Sequence, residues 1–360
     1  MHLPKNSNEV VNLQPLFQRL VLDNATDFLC GESVYSQIAA LPDSLSELKA
    51  KYKRGKLDWT LFAYYFDHAT KALGVRVRMF DRYWLYQPPS FHKSCRQVHE
   101  FADYHVNKAL NELFPNGTEK DLDTEKDGKK KFVFLHELAH ATRDPVELRS
   151  QLLNVLLAGR DTTAGLLSWT FYTLSRNPDV YEKLRNTILE TFGTYSQPHD
   201  ITFSNLKGCA YLQHVIMEVL RLFPNVALNS RRATRHTTLP RGGGLDGLAP
   251  VYVKKGQEVN YYVFSLHRRK DLWGEDAEEF KPDRWVGKKH GWEYLPFNGG
   301  PRICLGQQFA LKEAGLIITR MLQKYDSITN MDEDMIPRHS YQLTTAPRQV
   351  LVKMHEAQDK

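Results

Sequence analysis

Cys304 closes the segment Phe297-Asn-Gly-Gly-Pro-Arg-Ile-Cys-Leu-Gly306, whose residue types suit a sulfur held out as a metal ligand. Gly299, Gly300 and Pro301 impose a tight, non-repeating backbone ahead of the sulfur, and Gly306 lets the chain turn closely behind it. Beyond it, Phe309, Ala310, Leu311, Ala314, Leu316, Ile317 and Ile318 recur at helical spacing, which sets Cys304 at or just before a helix N-terminus. Backbone N–H groups and the helix dipole there favour a thiolate, as does Arg302 two residues upstream. Phe297 is placed to shield one side of the loop from water. The competing reading is a buried free cysteine in a glycine-rich turn.

These residues resemble the haem-binding loop of the cytochrome P-450 family, F-x-x-G-x-R-x-C-x-G, which is matched at every fixed position. The resemblance implies that Cys304 is the axial ligand of a haem iron, with Phe297, Arg302 and Gly306 around the cofactor.

Three further segments bear on this. Ala158-Gly-Arg-Asp-Thr-Thr163 lies in a run expected to be one helix from Pro145 to Asn177, with Asp144 as N-cap and Pro145 at the first helical position. Such a helix would be about 50 Å long and, from Leu152, Leu156, Leu157, Leu166 and Trp169, largely buried. Asp161 and Thr162 are costly to bury there without a purpose, and small Ala158 and Gly159 leave room for a ligand. The segment resembles the family's oxygen-binding helix, A/G-G-x-D/E-T-T/S, which implies that Asp161 and Thr162 manage protons. A threonine bonding back to its own helix carbonyl is the alternative.

Glu218 and Arg221 fall on a helix expected from about Ser204 to Phe223, among apolar neighbours that suggest burial. The resemblance implies a structural triad of Glu218, Arg221 and Arg284. It also implies that Arg231 and Arg302 face haem propionates, although both are equally readable as solvated surface charges.

His136-Glu-Leu-Ala-His140 fits the zinc-hydrolase helix pattern H-E-x-x-H. The pattern is short, the chain has 14 histidines, and no other segment offers an obvious third ligand, so both histidines read as surface residues.

Composition sets the frame for these sites. A chain of 360 residues, 42% apolar, can bury a large core, and it has no apolar run long enough to span a membrane. The four cysteines show no framework spacing, which favours a reducing compartment. The opening residues are polar and do not read as a secretory signal. Net charge is +6, with no basic run interleaved with aromatics of the kind that binds nucleic acid. Lys288, Lys289, His290, Arg302 and Lys312 could form a basic face for an acidic flavoprotein or simply be solvated.

Helices are expected around Leu13–Ala25, Trp59–Arg76 and Lys93–Phe114, then a solvated linker over 116–131. Strand-like pieces follow over 226–259 with Gly242-Gly-Gly244 as a turn, and a two-strand tail ends the chain. The expected fold class is mainly α with small β-sheets, a single cytochrome P-450 domain over residues 1–360. Against the family pattern the anchor, first sheet and first helices are not recognisable before Asn12. That is roughly the first third of the usual domain, so an N-terminally truncated, non-catalytic haem-binding remnant is the alternative expectation.

The resemblance implies a monooxygenase using haem b, O2 and electrons from NADPH through a flavoprotein reductase, at the cytosolic face of the endoplasmic reticulum membrane. Ala158–Gly165, Thr237–Gly244 and Trp273–Phe280 are most similar to fungal members that hydroxylate n-alkanes and fatty acids. Val226, Ala227 and Leu228 would line an apolar channel for such chains, or merely fill core.

Overall fold

The computed structural model describes residues 9–41, 53–54, 57–58, 61–115 and 131–358; the expected linker, apart from Lys131, lies outside them. The chain divides into two compact units, one of residues 1–213 and 306–360, the other of 214–305.

In the first unit, α1 (Leu13–Cys30) starts where the Asn12 side chain accepts the Gln14 N–H and stops at Gly31, whose φ of 78° is the left-handed conformation glycine adopts freely. It is followed by α2 (Phe62–Arg78), α3 (Pro89–Leu113) and α4 (Phe134–Ala141). Leu22, Phe62, Phe66, Phe101, Leu135 and Leu152 are buried in one continuous cluster, with the Phe62 and Phe101 rings 4.0 Å apart. Burying side chains of this size contributes about 1.5–3 kcal/mol each, which fixes the helices on one another.

The long helix α5 runs Pro145–Leu174, 30 residues, and opens as its sequence dictates, with Asp144 accepting the Val146 N–H at 2.9 Å. It ends three residues before the expected Asn177. There the Asn177 amide donates to Thr173 O at 2.8 Å, and Pro178 begins α6 (Pro178–Phe192). Every residue from Thr163 to Leu174 is buried, but the first half departs from the expected burial: Gln151, Asn154 and Ala158 form an exposed stripe. The helix expected over 204–223 is likewise two. Thr202 and Asn205 form a reciprocal capping box for α7 (Phe203–Gly208), and Cys209, at ψ 88°, breaks the helix before α8 (Ala210–Leu222).

The last helix, α9 (Gln307–Lys324), packs beside α5 and α6. The tail holds more strand than expected. β1 (Val11–Asn12), β11 (Leu351–Glu356) and β8 (Tyr325–Asn330) form an antiparallel sheet in that order, and β9 (His339–Tyr341) pairs with β10 (Thr345–Pro347). The remaining pair in this unit, β2 (Lys53–Arg54) and β3 (Leu57–Asp58), is a short ribbon.

In the second unit, β4 (Leu228–Arg232) pairs antiparallel with β7 (Glu258–Tyr262), and β5 (Thr237–Gly243) with β6 (Ala249–Val253). The triple glycine is not simply a turn. β5 continues through Gly243, where a Cβ would stand 2.7 Å from Pro250 O, and the reversal follows over 244–248. The glycines admit a close backbone approach where the register is irregular.

Among the described residues no helix is long and apolar enough to cross a membrane. All four cysteines are free thiols.

Candidate functional site

The cysteine loop is built by its own backbone. Asn298 and Gly300 take positive φ of 66° and 71°, which brings the chain back so that the Cys304 N–H donates to Phe297 O at 2.9 Å. Asn298 tolerates this conformation because its side-chain oxygen accepts from Tyr261 OH at 2.7 Å and from the Gly299 N–H at 3.1 Å. A Cβ on Gly299 would lie 2.8 Å from the Trp292 ring, so the glycine there is a packing requirement. Cys304 itself is exposed, unlike buried Cys30 and Cys209, which removes the reading of a core thiol. Flanking Ile303 is 54% and Leu305 96% exposed, an apolar border around an outward sulfur.

Gly306 corrects one expectation. Its φ of −84° is open to any residue, so no tight turn requires glycine; nothing in the chain lies within 4 Å of an added Cβ. Phe297 is half-buried and touches Cys304 through its carbonyl, while Arg302 is exposed. Arg231 is exposed on β4, donates to Ser230 O at 2.7 Å, and lies over the ring of Tyr261, the residue that holds Asn298. Arg231 and the loop thus share Tyr261, an indirect link that sequence spacing does not show.

Beneath the loop stands the acid–base cluster. Glu218 is completely buried and collects five donors on its two oxygens: Arg221 Nε and Nη2 at 2.9 and 2.8 Å, Arg284 Nε at 3.2 Å, Trp285 Nε1 at 3.0 Å and the Lys281 N–H at 3.0 Å. Arg221 spends its other donors on the carbonyls of His267, Ala277 and Glu279. Arg284 also grips Asp276 at 2.8 Å, and this contact holds the Asp276 carboxyl down at about 2. Glu218, Arg221 and Arg284, the triad that the resemblance implies, do come together.

Sequence reasoning missed His267. It is fully buried, donates from Nδ1 to Arg221 O at 3.1 Å and accepts the Leu295 N–H on Nε2 at 2.8 Å. Both ring nitrogens are used in the neutral form, and burial lowers its pKa to about 4. It is the strut between the cluster and the start of the cysteine loop. A lone histidine in Ser265-Leu-His-Arg-Arg269 gives no signal of this.

On α5, Ala158 and Thr162 lie along the open stripe, and a Cβ on Gly159 would meet nothing within 4 Å. This is the clearance the sequence predicts beside the helix. Thr162 Oγ1 donates to Ala158 O at 2.8 Å, the local bond named above as its alternative. Asp161 is 9% exposed; its Oδ1 accepts from Arg160 Nη1 at 2.8 Å, and its Oδ2 is buried without a partner. Burial raises the Asp161 pKa, against the opposing pull of Arg160. Arg160, missed in the sequence, is buried and bridges Asp161 to Asp67 of α2 at 2.6 Å. Its only sequence signal is a cation inside an apolar helix.

The remaining candidates disperse. His136 is half-buried near Glu112 at 3.4 Å and His140 packs on the Phe114 ring; among the described residues no group of three acidic, histidine or cysteine side chains could hold a metal. Lys312 leaves the supposed basic face, because it is buried in the first unit with Nζ donating to Phe203 O at 2.8 Å. Lys289, His290 and Arg302 remain exposed.

In the second unit, the outward Cys304 thiol with its apolar border suits a thiolate-ligated cofactor; in the first unit, nothing in the chain lies within 4 Å of an added Cβ at Gly159 or Gly306. The sequence pattern of the family described as Cytochrome P-450 matches residues 5–354. A Fusarium cytochrome P-450 monooxygenase, g430, is 49% identical over 336 residues, 93% of this chain and 57% of that protein. Cytochrome P-450 52A13 of Debaryomyces hansenii is 48% identical over 341 residues, 93% of this chain and 63% of its own length. Cytochrome P-450 52A1 of Candida tropicalis is 46% identical over 335 residues, 91% and 59%. The chain therefore spans about three fifths of the length of these curated relatives.

Proposed function

This chain belongs to the cytochrome P-450 family, and from that premise we propose that it acts as a haem-thiolate monooxygenase on an apolar substrate. The observation that carries the reading is the exposed Cys304 thiol, presented by a loop whose backbone is pinned at both Phe297 and Asn298. Haem b bound there would supply activation of O2 and oxidation of a C–H bond.

The chain's own residues have separate tasks. Cys304 presents sulfur to the iron. Phe297, Arg302, Gly306 and Arg231 border the cofactor, and Ala158 and Gly159 leave room on the helix face. Asp161 holds a proton on its unpartnered Oδ2 and passes it on, with Thr162 as the hydroxyl next along the helix. The Thr162 oxygen can accept while its own O–H donates to Ala158 O. Glu218, Arg221 and Arg284 keep the cysteine loop's foundation rigid and do no chemistry.

The substrate class is an n-alkane or fatty acid, hydroxylated at the chain terminus. It rests on the resemblance of Ala158–Gly165, Thr237–Gly244 and Trp273–Phe280, and on half-buried Val226 and Ala227 with exposed Leu228, apolar side chains still open to a ligand. Electrons would come from NADPH through a flavoprotein reductase meeting exposed Lys289, His290 and Arg302, on the cytosolic face of the endoplasmic reticulum.

The test is the purified chain with haem, reductase, NADPH and dodecanoic acid, analysed for the hydroxy acid. Terminal hydroxylation that disappears in Cys304→Ala is the expected result. Full haem occupancy with reduction but no oxygenated product from acids or alkanes overturns the substrate and activity reading.

A further inference from the structure

Three aromatic rings meet in the core of the second unit beside the acid–base cluster. Trp273 ends the short helix Lys270–Trp273, Trp285 ends the short turn Pro282–Trp285, and both are buried together with Tyr294. The Trp285 ring centroid is 5.6 Å from that of Trp273 and 4.7 Å from that of Tyr294, and Tyr294 lies 4.9 Å from exposed His290. Rings this close touch at their edges, so an electron can pass among them, with His290 marking the way to solvent. Packing alone explains why the rings are together. It does not explain why their polar surroundings differ.

The Trp285 indole N–H donates to Glu218 Oε2 at 3.0 Å, and that carboxylate is completely buried. A ring that loses an electron becomes a cation, and an adjacent anion stabilises it strongly in a low-dielectric interior. The guanidinia of Arg221 and Arg284 that share Glu218 are matched charge for charge, because Arg284 also pairs with Asp276 at 2.8 Å. Trp273 has the opposite environment. Over its ring stand the Arg221 guanidinium at 5.2 Å and the Lys288 ammonium at 4.2 Å, while its N–H reaches only the neutral Leu266 carbonyl at 3.3 Å. Those cations are attracted to the intact ring and oppose a positive charge on it. Tyr294 donates its hydroxyl to Met217 O at 3.0 Å. A phenol gives up an electron readily only when a base takes its proton, and a backbone carbonyl only accepts a hydrogen bond. Of the three touching rings, Trp285 is therefore the easiest to oxidise.

We propose that Trp285 is a one-electron redox site, at which an oxidising equivalent entering this unit comes to rest as an indole radical cation paired with the Glu218 carboxylate. A high-potential one-electron oxidant takes one electron from the ring and is itself reduced by one. No proton has to leave. Glu218 already collects five donors that hold its negative charge on the oxygens, so the Nε1 proton stays on the indole. A reductant such as ascorbate then returns the electron, releases its own proton to solvent and restores Trp285. Oxidation of Trp285 needs no haem, so it is separable from the oxygenase reading.

The experiment is a laser flash on the full haem-free chain carrying a ruthenium polypyridyl sensitiser on a cysteine introduced by Lys289→Cys, with exposed Cys304 and half-buried Cys95 replaced by serine. A quencher converts the sensitiser to its trivalent oxidant near His290, and transient absorption reads the tryptophan radical cation. The radical should form in this parent protein and in its Trp273→Phe and Trp292→Phe derivatives, the latter removing the exposed indole nearby in the chain. Its population should fall by about tenfold or more in Trp285→Phe, equivalent to about 59 mV for a one-electron couple. Glu218→Gln, which keeps a hydrogen-bond acceptor and removes the charge, should lower it in the same direction. A fluorinated tryptophan at position 285 keeps the shape and the N–H donor while making the ring harder to oxidise, so it should lower the population with the fold intact. A population within ~2-fold of the parent in both the Trp285→Phe and the fluorinated proteins, or one abolished by Trp292→Phe, overturns the proposal.

Discussion

Replacing Glu218 with alanine tests the foundation of the cysteine loop. The substitution strands five donors, among them the guanidinium of Arg221, which is completely buried, and that of Arg284, which is nearly so. Removing one partner of a buried ion pair costs about 3–5 kcal/mol, because the remaining charge keeps its desolvation penalty. The same pair on an exposed helix face would be worth only about 0.2–0.5 kcal/mol, so the two pictures differ by roughly tenfold. Urea unfolding followed by tryptophan fluorescence is the suitable assay, since Trp285 donates directly to Glu218 and Trp273 lies under the Arg221 guanidinium. With a urea dependence of about 3 kcal/mol per molar, the midpoint should fall by about 1–1.7 M. A fall below ~0.3 M would mean that the cluster does not support the cysteine loop.

Other outcomes follow from single contacts. His267 is neutral when folded, with its pKa lowered to about 4 from 6.5, so the unfolded chain binds the extra proton between those values. Stability should be complete above about pH 6.5 and fall by roughly 3 kcal/mol as pH drops through 4, a slope that His267→Gln should flatten in pH-dependent urea melts. Asp276, depressed to about 2 by Arg284, adds stability that is present above about pH 4 and lost as pH falls through 2; Asp276→Asn should remove that acid limb. Gly74→Ala should destabilise by about 1–3 kcal/mol in thermal unfolding despite alanine's better helix propensity, because the added Cβ meets the Gln342 backbone at 2.9 Å. Thr162→Val, which loses one local bond, should change stability by no more than about 1 kcal/mol while cutting product formation by about 10²-fold or more; equal losses in both would make Thr162 merely structural.

What was legible in the sequence was what short-range chemistry fixes. Asp144-Pro145 fixes the start of α5, and the run of apolar residues fixes its path to Leu174. The glycine-rich form of the cysteine loop and the burial of Glu218 and Arg221 among apolar neighbours were legible from residue types, whereas the meeting of those two with Arg284 followed from the family resemblance alone. What was hidden depends on contacts between distant segments. Arg160 needs Asp67 from another helix, and His267 needs Arg221 and Leu295. Lys312 looked like surface charge, and only tertiary packing shows its stem buried and its ammonium on Phe203 O. The break at Cys209 was missed because the apolar spacing continues across it, while the Thr202 capping box and the α7 terminus decide locally. The half-exposed face of α5 was misread because leucine counting reports burial of the helix as a whole, not of each stripe.

Haem-thiolate ligation in this chain turns on the sulfur of Cys304. The most direct measurement is the visible absorption spectrum of the haem-reconstituted chain after reduction and exposure to carbon monoxide, taken for wild type, Cys304→Ala and Cys209→Ala. A thiolate-type Soret band is expected in wild type and Cys209→Ala, and its loss in Cys304→Ala. A thiolate-type band that survives in Cys304→Ala would contradict the assignment.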